Sequence, residues 1–148
     1  MLSGLQITAC PNENPLRRSG WAIVTSATSA YAMQGFAASQ ASPSPPSTFV
    51  TSDLVSKGKP DPEPYLLGAK LTKSDPASCL VVEDAPAGVI AGKAAGCKVL
   101  GLKTTHEAAK MWEAGADFLC EDLSKVRARW EGMKLIIEID SEEKPAST

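Results

Sequence analysis

The 148-residue sequence predicts an α/β fold with a doubly wound, mainly parallel sheet, and three observations predict it. Short apolar runs of strand length recur at Trp21–Val24, Cys79–Val82 and Val99–Leu102. Stretches of about ten residues with helical character separate them, the alternation of a parallel β/α layer architecture. Cys79-Leu-Val-Val-Glu83 is apolar until its last residue, as expected of a strand covered on both faces.

Taken in order, residues 1–20 form an irregular N-terminal segment, with Pro11 and Pro15 and only a brief alternation at Leu5, Ile7 and Ala9. A core domain then spans 21–140. Trp21 to Ser26 reads as a buried strand whose hydroxyl-rich end leads into a helix from Ser29 to about Ala38. Pro43, Pro45 and Pro46 make 39–48 a loop, and Phe49–Val50 starts a short second strand. A helix begins near Pro62 or Glu63, where proline suits the first turn, and turns Tyr65, Leu66, Ala69 and Leu71 inward.

After the strand at Cys79–Glu83, Asp84 caps a helix starting near Pro86. Gly88, Gly92 and Gly96 let that helix approach a sheet closely. Strand Val99–Leu102, helix Glu107–Glu113, strand Asp117–Leu119 and strand Lys134–Ile139 continue the pattern, and 141–148 is a disordered tail.

Composition narrows the functions. The chain is 43% apolar and 22% charged with net charge −2, enough for one core but with no basic surplus to neutralise phosphates of a nucleic acid. No apolar run approaches the roughly 20 residues of a membrane span, and no signal-like N-terminus is visible, so a cytoplasmic location is expected. Cys10, Cys79, Cys97 and Cys120 show no C-x-x-C pairing and read as reduced, mostly buried thiols. A G-x-x-x-x-G-K-[ST] loop fails at Ala87 and Ala94, and G-x-G-x-x-G does not occur. A receiver domain would need an early acidic cluster, which is missing before Asp53. His106 and the three tryptophans read as capping and packing residues.

In open α/β sheets ligands bind beyond the carboxyl ends of strands. The residues there are Ser26, Glu83 and Asp84, with Lys59 in the loop before a helix. Carboxylates suit Mg²⁺, a hard oxygen-seeking cation, while a lysine and a hydroxyl at a helix start suit phosphoryl oxygens. The set predicts a phosphate and magnesium site.

The chain resembles the haloacid dehalogenase-like (HAD) hydrolases through WAIVTSAT at 21–28, GKPDPEPY at 58–65 and VVEDAPAGVIAGKAAG at 81–96. The wording is most similar to fungal glycerol-3-phosphate and 2-deoxyglucose-6-phosphate phosphatases. The resemblance implies a Rossmann-like core that hydrolyses small sugar or polyol phosphates with Mg²⁺, acting as a monomer on a phosphorylated metabolite. Carried over by position, Ser26 and Lys59 are catalytic, and Ser26, Ala27 and Lys59 bind phosphate. Asp84 and Glu83 hold the metal. Ala27 replaces a more usual glycine.

Family chemistry proceeds through an aspartyl-phosphate, with a second aspartate two positions on protonating the leaving alcohol. Both belong to a D-x-D-G-T motif. The aspartates here are 53, 61, 75, 84, 117, 122 and 140, and none are two positions apart. No nucleophile is therefore assigned, and a truncated chain lacking the nucleophile strand and the helical cap is expected. In the family fold that strand lies between the strands ending at Ser26 and Glu83. Either Leu5–Ala9 fills the gap, or those two strands pair directly, or the chain needs a partner. The alternative function is a non-catalytic pseudophosphatase that binds phosphate or metal.

Overall fold

The computed structural model describes residues 2–8, 21–39, 47–132 and 134–145, with side chains described from residue 21 onward. Among them lie strands β1 (Leu2–Thr8), β2 (Ile23–Val24), β3 (Phe49–Val50), β4 (Leu80–Glu83), β5 (Lys98–Leu102), β6 (Phe118–Cys120), β7 (Val126–Glu131) and β8 (Lys134–Asp140). The helices are α1 (Ser29–Ser39), α2 (Glu63–Leu71), α3 (Pro86–Ala94) and α4 (Ala108–Glu113).

The parallel α/β architecture expected from the sequence is present, in two pieces: β2 pairs with β3, and β4, β5 and β6 form a three-stranded sheet, every pair parallel. One core lies between β4–β6 and the helices, where Val89, Val99, Met111 and Leu119 are fully buried. Gly92 is a condition of that core. A Cβ there would sit 2.9 Å from Val99 Cγ2 and 3.2 Å from Val81 Cγ1, so glycine lets α3 settle on the sheet.

The opposite face of β4–β6 is covered by a sheet that the sequence reading missed in part. β1, β8 and β7 pair antiparallel, in that order, and Ile137 and Ile139 of β8 meet Leu100 and Cys120 in a second core. β7 was not anticipated. Leu2–Thr8, inside the segment expected to be irregular, forms β1 in register from Leu2 opposite Asp140 to Thr8 opposite Lys134. It therefore does not fill the gap beside β2. β2 and β4 do not pair with each other either: β2 bonds β3 and β4 bonds β5. Residues 9–20 and 146–148 lie outside the described residues. Of the expected tail, 141–145 forms no regular element, but Glu142 donates its N–H to Leu119 O at 2.8 Å.

Three finer expectations are corrected. Tyr65 and Ala69 of α2 face inward as expected, but Leu66 and Leu71 stand 44% and 51% exposed, and Pro64 and Gly68 complete the buried face, because the close approach of α2 to β2 and β3 runs along Gly68. Val82 is 45% exposed, so β4 is not covered on both faces along its length. Asp84 does not cap α3; the N-cap is Ala85, with Pro86 in the first turn.

Candidate active site

The loop from Ser56 to Asp61 is shaped by the carboxylates beside it. Glu63 accepts the N–H groups of Ser56 at 2.8 Å and Lys57 at 2.9 Å, and Asp61 accepts that of Glu63 at 3.0 Å. The Lys59–Pro60 peptide bond is cis. So held, Lys59 reaches inward: its side chain is only 11% exposed, and its ammonium donates to Val24 O at 3.0 Å and to the Glu83 carboxylate. One side chain thus joins the ends of β2 and β4.

Glu83 is buried at 8% exposure and also accepts the Tyr65 hydroxyl. Burial and the adjacent carboxylate push the Tyr65 hydroxyl well above the usual phenol range, so it stays protonated and donates. Gly88 makes room for this arrangement, since a Cβ there would collide with the Glu83 carboxyl group. The glycine's spacing in α3 was legible in the sequence; its partner was not.

Asp84 follows on the loop and is tied to the loop after β5. The Thr105 hydroxyl donates to Asp84 O at 2.7 Å and lies 3.3 Å from its Oδ2. His106 Nδ1 lies 3.0 Å from the same carbonyl. A carbonyl only accepts, so this contact calls for the proton on Nδ1. Sequence reasoning gave Thr105 no role and His106 only a place before α4; the parallel pairing of β4 with β5 is what brings them to Asp84.

At the end of β2, Ser26 is exposed. Ala27 donates its N–H to Thr25 Oγ1 at 3.2 Å, and its carbonyl accepts from Ser52 N at 3.0 Å. The start of α1 is held from a distant loop: Asp53 accepts Ser29 N–H at 3.1 Å and the Ser29 hydroxyl at 2.7 Å. Hydrogen bonds from the Thr51 and Ser29 hydroxyls lower the Asp53 carboxyl to about 2. Asp53 had no assigned role in the sequence, because a cap offered across 24 residues leaves no local spacing signal.

The donor set does not by itself make a magnesium centre. Among the described residues no three His, Cys, Asp or Glu groups converge, and Glu83, expected as a ligand, is turned to Lys59 and Tyr65. Asp84 alone of the pair keeps a carboxylate outside that cluster. Magnesium takes six oxygens and commonly keeps several waters with one or two carboxylates, so the remaining oxygens would come from outside this chain's side chains.

The family model for haloacid dehalogenase-like hydrolases matches residues 17–102, which contain Ser26, Lys59, Glu83 and Asp84. The chain belongs to that family. It is 38% identical over 128 residues to glycerol-1-phosphate phosphohydrolase 2 of Saccharomyces cerevisiae, covering 82% of this chain and 50% of the relative. Hexitol phosphatase A of Escherichia coli is 39% identical over 131 residues, covering 81% and 56% respectively. The crystal structure of a hydrolase from Pseudomonas syringae superposes with a TM-score of 0.63 at 31% identity, covering 69% of this chain and 47% of that one. The chain spans about half the length of the curated relatives it matches. Among the described residues no helix is long and apolar enough to cross a membrane.

Proposed function

We propose that this chain carries the phosphoryl-holding part of a phosphomonoesterase for small sugar or polyol phosphates, and that the nucleophilic aspartate comes from a segment outside it. The observation that carries the reading is Lys59, a buried ammonium fixed between the ends of two strands by Val24 O and Glu83. A preorganised cation at a strand edge stabilises phosphoryl oxygens without reorganising when charge develops. Ser26, exposed two residues beyond Val24, donates its hydroxyl to the same group. Ala27 shapes the turn; its N–H is already directed at Thr25.

Glu83 and Tyr65 act by positioning. Glu83 fixes the ammonium, and Tyr65 remains a donor that holds Glu83 in place. Asp84 is the residue this chain would contribute to magnesium, whose chemistry when bound is to neutralise phosphoryl charge. The relatives' names support the substrate class, a glycerol phosphate and a hexitol phosphate among them. The second reading is a non-catalytic phosphate binder. It draws on the neutralisation of Lys59 by Glu83 and on a sequence without D-x-D.

The test is phosphate release and ligand binding by the purified chain with magnesium over a panel of glycerol, hexitol and deoxyhexose phosphates, followed by phosphorus NMR, with Asp84→Ala and Ser26→Ala in parallel. The expected result is binding that weakens in Ser26→Ala, without turnover. Turnover abolished by Asp84→Ala would place the nucleophile within this chain, and absence of any binding would end the phosphatase reading.

A further inference from the structure

We propose that Cys79 and Cys97 form a thiol-oxidation site, in which a hydroperoxide oxidises Cys79 and Cys97 then closes a disulfide that joins the start of β4 to the start of β5. The strand register puts the two side by side. β4 and β5 pair in parallel from Leu80 opposite Lys98, and Lys98 N–H donates to Cys79 O at 3.1 Å, so the ladder extends one residue back to Cys79 beside Cys97. Residues so placed point to the same face of a sheet. Cys97 lies with Val81 and Val99 in the core between the sheet and the helices, and Cys79 packs against that core. Neighbouring strands lie about 4.8 Å apart, inside the roughly 4.4–6.8 Å Cα separation that a disulfide spans.

Both backbones are fixed where their strands begin. Cys79 N–H donates to Pro76 O at 3.0 Å, closing a turn whose Ala77 N–H is capped by Asp75. Cys97 N–H donates to Gly92 O at 3.0 Å, just after Gly96 at φ +85° ends α3. Joining the sulfurs therefore calls for side-chain rotation and not for a shift of either strand.

The pair is unequal, which decides the order of the steps. Cys97 is 3% exposed whereas Cys79 is half-buried, and both line a cavity of about 630 Å³ together with Ser74 and Ser78. As a thiol, Cys79 donates to Asp75 O at 3.3 Å. A hydrogen bond from the Cys97 thiol holds Cys79 below the ordinary thiol value, while the same contact and burial push Cys97 up. The Asp75 carboxylate opposes the first shift and the Lys93 ammonium the second. Cys120, the other cysteine among the described residues, lies in the second core on the opposite face, and burial pushes its thiol up.

The Cys79 thiolate attacks one oxygen of the peroxide. The O–O bond breaks, the hydroxide that leaves takes up a proton as water, and Cys79 becomes a sulfenic acid. The charge on Cys79 that raised Cys97 is then gone. Cys97 sulfur attacks Cys79 sulfur, the S–S bond forms, the S–O bond breaks, and the departing hydroxide takes the Cys97 proton as a second water. The pair loses two electrons, and hydrogen peroxide is reduced to two waters. The site does not depend on the phosphatase reading.

The test uses the whole purified chain, fully reduced and then treated with stoichiometric hydrogen peroxide, and reads free thiols, intact mass and a non-reducing peptide map. The expected product is an intramolecular Cys79–Cys97 link that dithiothreitol reverses, with Cys120 still reduced. In Cys97→Ser the sulfenic acid at Cys79 persists and is captured by dimedone, and in Cys79→Ser loss of the Cys97 thiol slows at least about tenfold. The map of the natural chain decides the matter however either variant folds. A link to Cys10, which lies outside the described residues, a link between two chains, or Cys120 oxidised as fast as Cys79 would overturn the proposal. So would Cys79 carried on to sulfinic acid with Cys97 left as a thiol, or both thiols unreacted in the folded chain.

Discussion

In the piece built from β4, α3, β5, α4 and β6, Val89, Val99, Met111 and Leu119 are fully buried, whereas α1 in the piece built from β2, α1 and β3 buries no residue. Tyr31 and Met33 of α1 stand 73% and 47% exposed. Both pieces repeat the same strand-helix-strand pattern, so the pattern alone does not make a core. The first piece is covered by helices on one face and by β8 on the other. The second is attached to the rest through Gly68 of α2 against Val24 and the Lys59 bridge, and is braced within itself by Phe36 edge-on to Phe49 at 6.2 Å and by the Asp53 cap.

The sharpest way to break this contrast is to cut one side chain from each piece. Leu119→Ala removes a fully buried leucine between β6 and the helices and is expected to cost about 4 kcal/mol, transfer and cavity terms together. Phe36→Ala, on a helix with no buried residue, is expected to cost about 1 kcal/mol. Urea unfolding followed by tryptophan fluorescence checks both. Equal losses would mean that the β2–α1–β3 piece carries as much of the stability as the closed one.

Glu83→Gln probes the junction between the pieces. It leaves the Lys59 ammonium, 11% exposed, without its charged partner, and the expected loss is about 3 kcal/mol. In a Tyr65→Phe background, which removes the hydroxyl that donates to Glu83, replacing both residues together, Lys59→Met with Glu83→Leu, is expected to recover most of that, since a buried pair exchanged for apolar groups of similar volume is often close to neutral. A double variant as unstable as Glu83→Gln would show that the bridge to Val24 O holds β2 in place by itself.

The same contrast governs what the sequence could reveal. The apolar runs at Cys79–Glu83 and Val99–Leu102 announced β4 and β5 because both are apolar at consecutive positions, a pattern that burial bears out along the middle of β5 and only at alternate residues of β4. The antiparallel sheet left a fainter signal. Val126, Ala128 and Trp130 alternate with Arg127, Arg129 and Glu131, a period of two, and Gly132 at φ +60° turns the chain so that Glu131 faces Lys134. β1 could not be placed, since seven residues with modest alternation do not name their partner. At the candidate site, the placement of Ser26, Glu83 and Asp84 after strands and of Lys59 before a helix was legible. Tyr65, Thr105 and Asp53 were not, because each meets its partner across 18 or more residues of chain.

The smallest expected effect is local and depends on pH. Asp53 titrates at about 2 in the folded chain against an ordinary 3.8, held down by hydrogen bonds from the Thr51 and Ser29 hydroxyls. A carboxyl lowered on folding stabilises the folded form fully above its unfolded value and loses that contribution as pH falls from about 4 toward about 2. Asp53 is exposed, so the global change is small; the cap it provides is local to the first turn of α1. Hydrogen exchange at Ser29 and Ala32 is therefore expected to quicken, relative to its intrinsic rate, through that interval in the natural chain and to be already fast at pH 6 in Asp53→Ala. Amides of Val99 and Leu119 are expected to keep their protection in both chains down to pH 4, where the closed piece does not depend on that carboxylate. If the two sets of amides lost protection together at pH 6 in Asp53→Ala, the cap would be holding the whole molecule and the two pieces would behave as one cooperative unit.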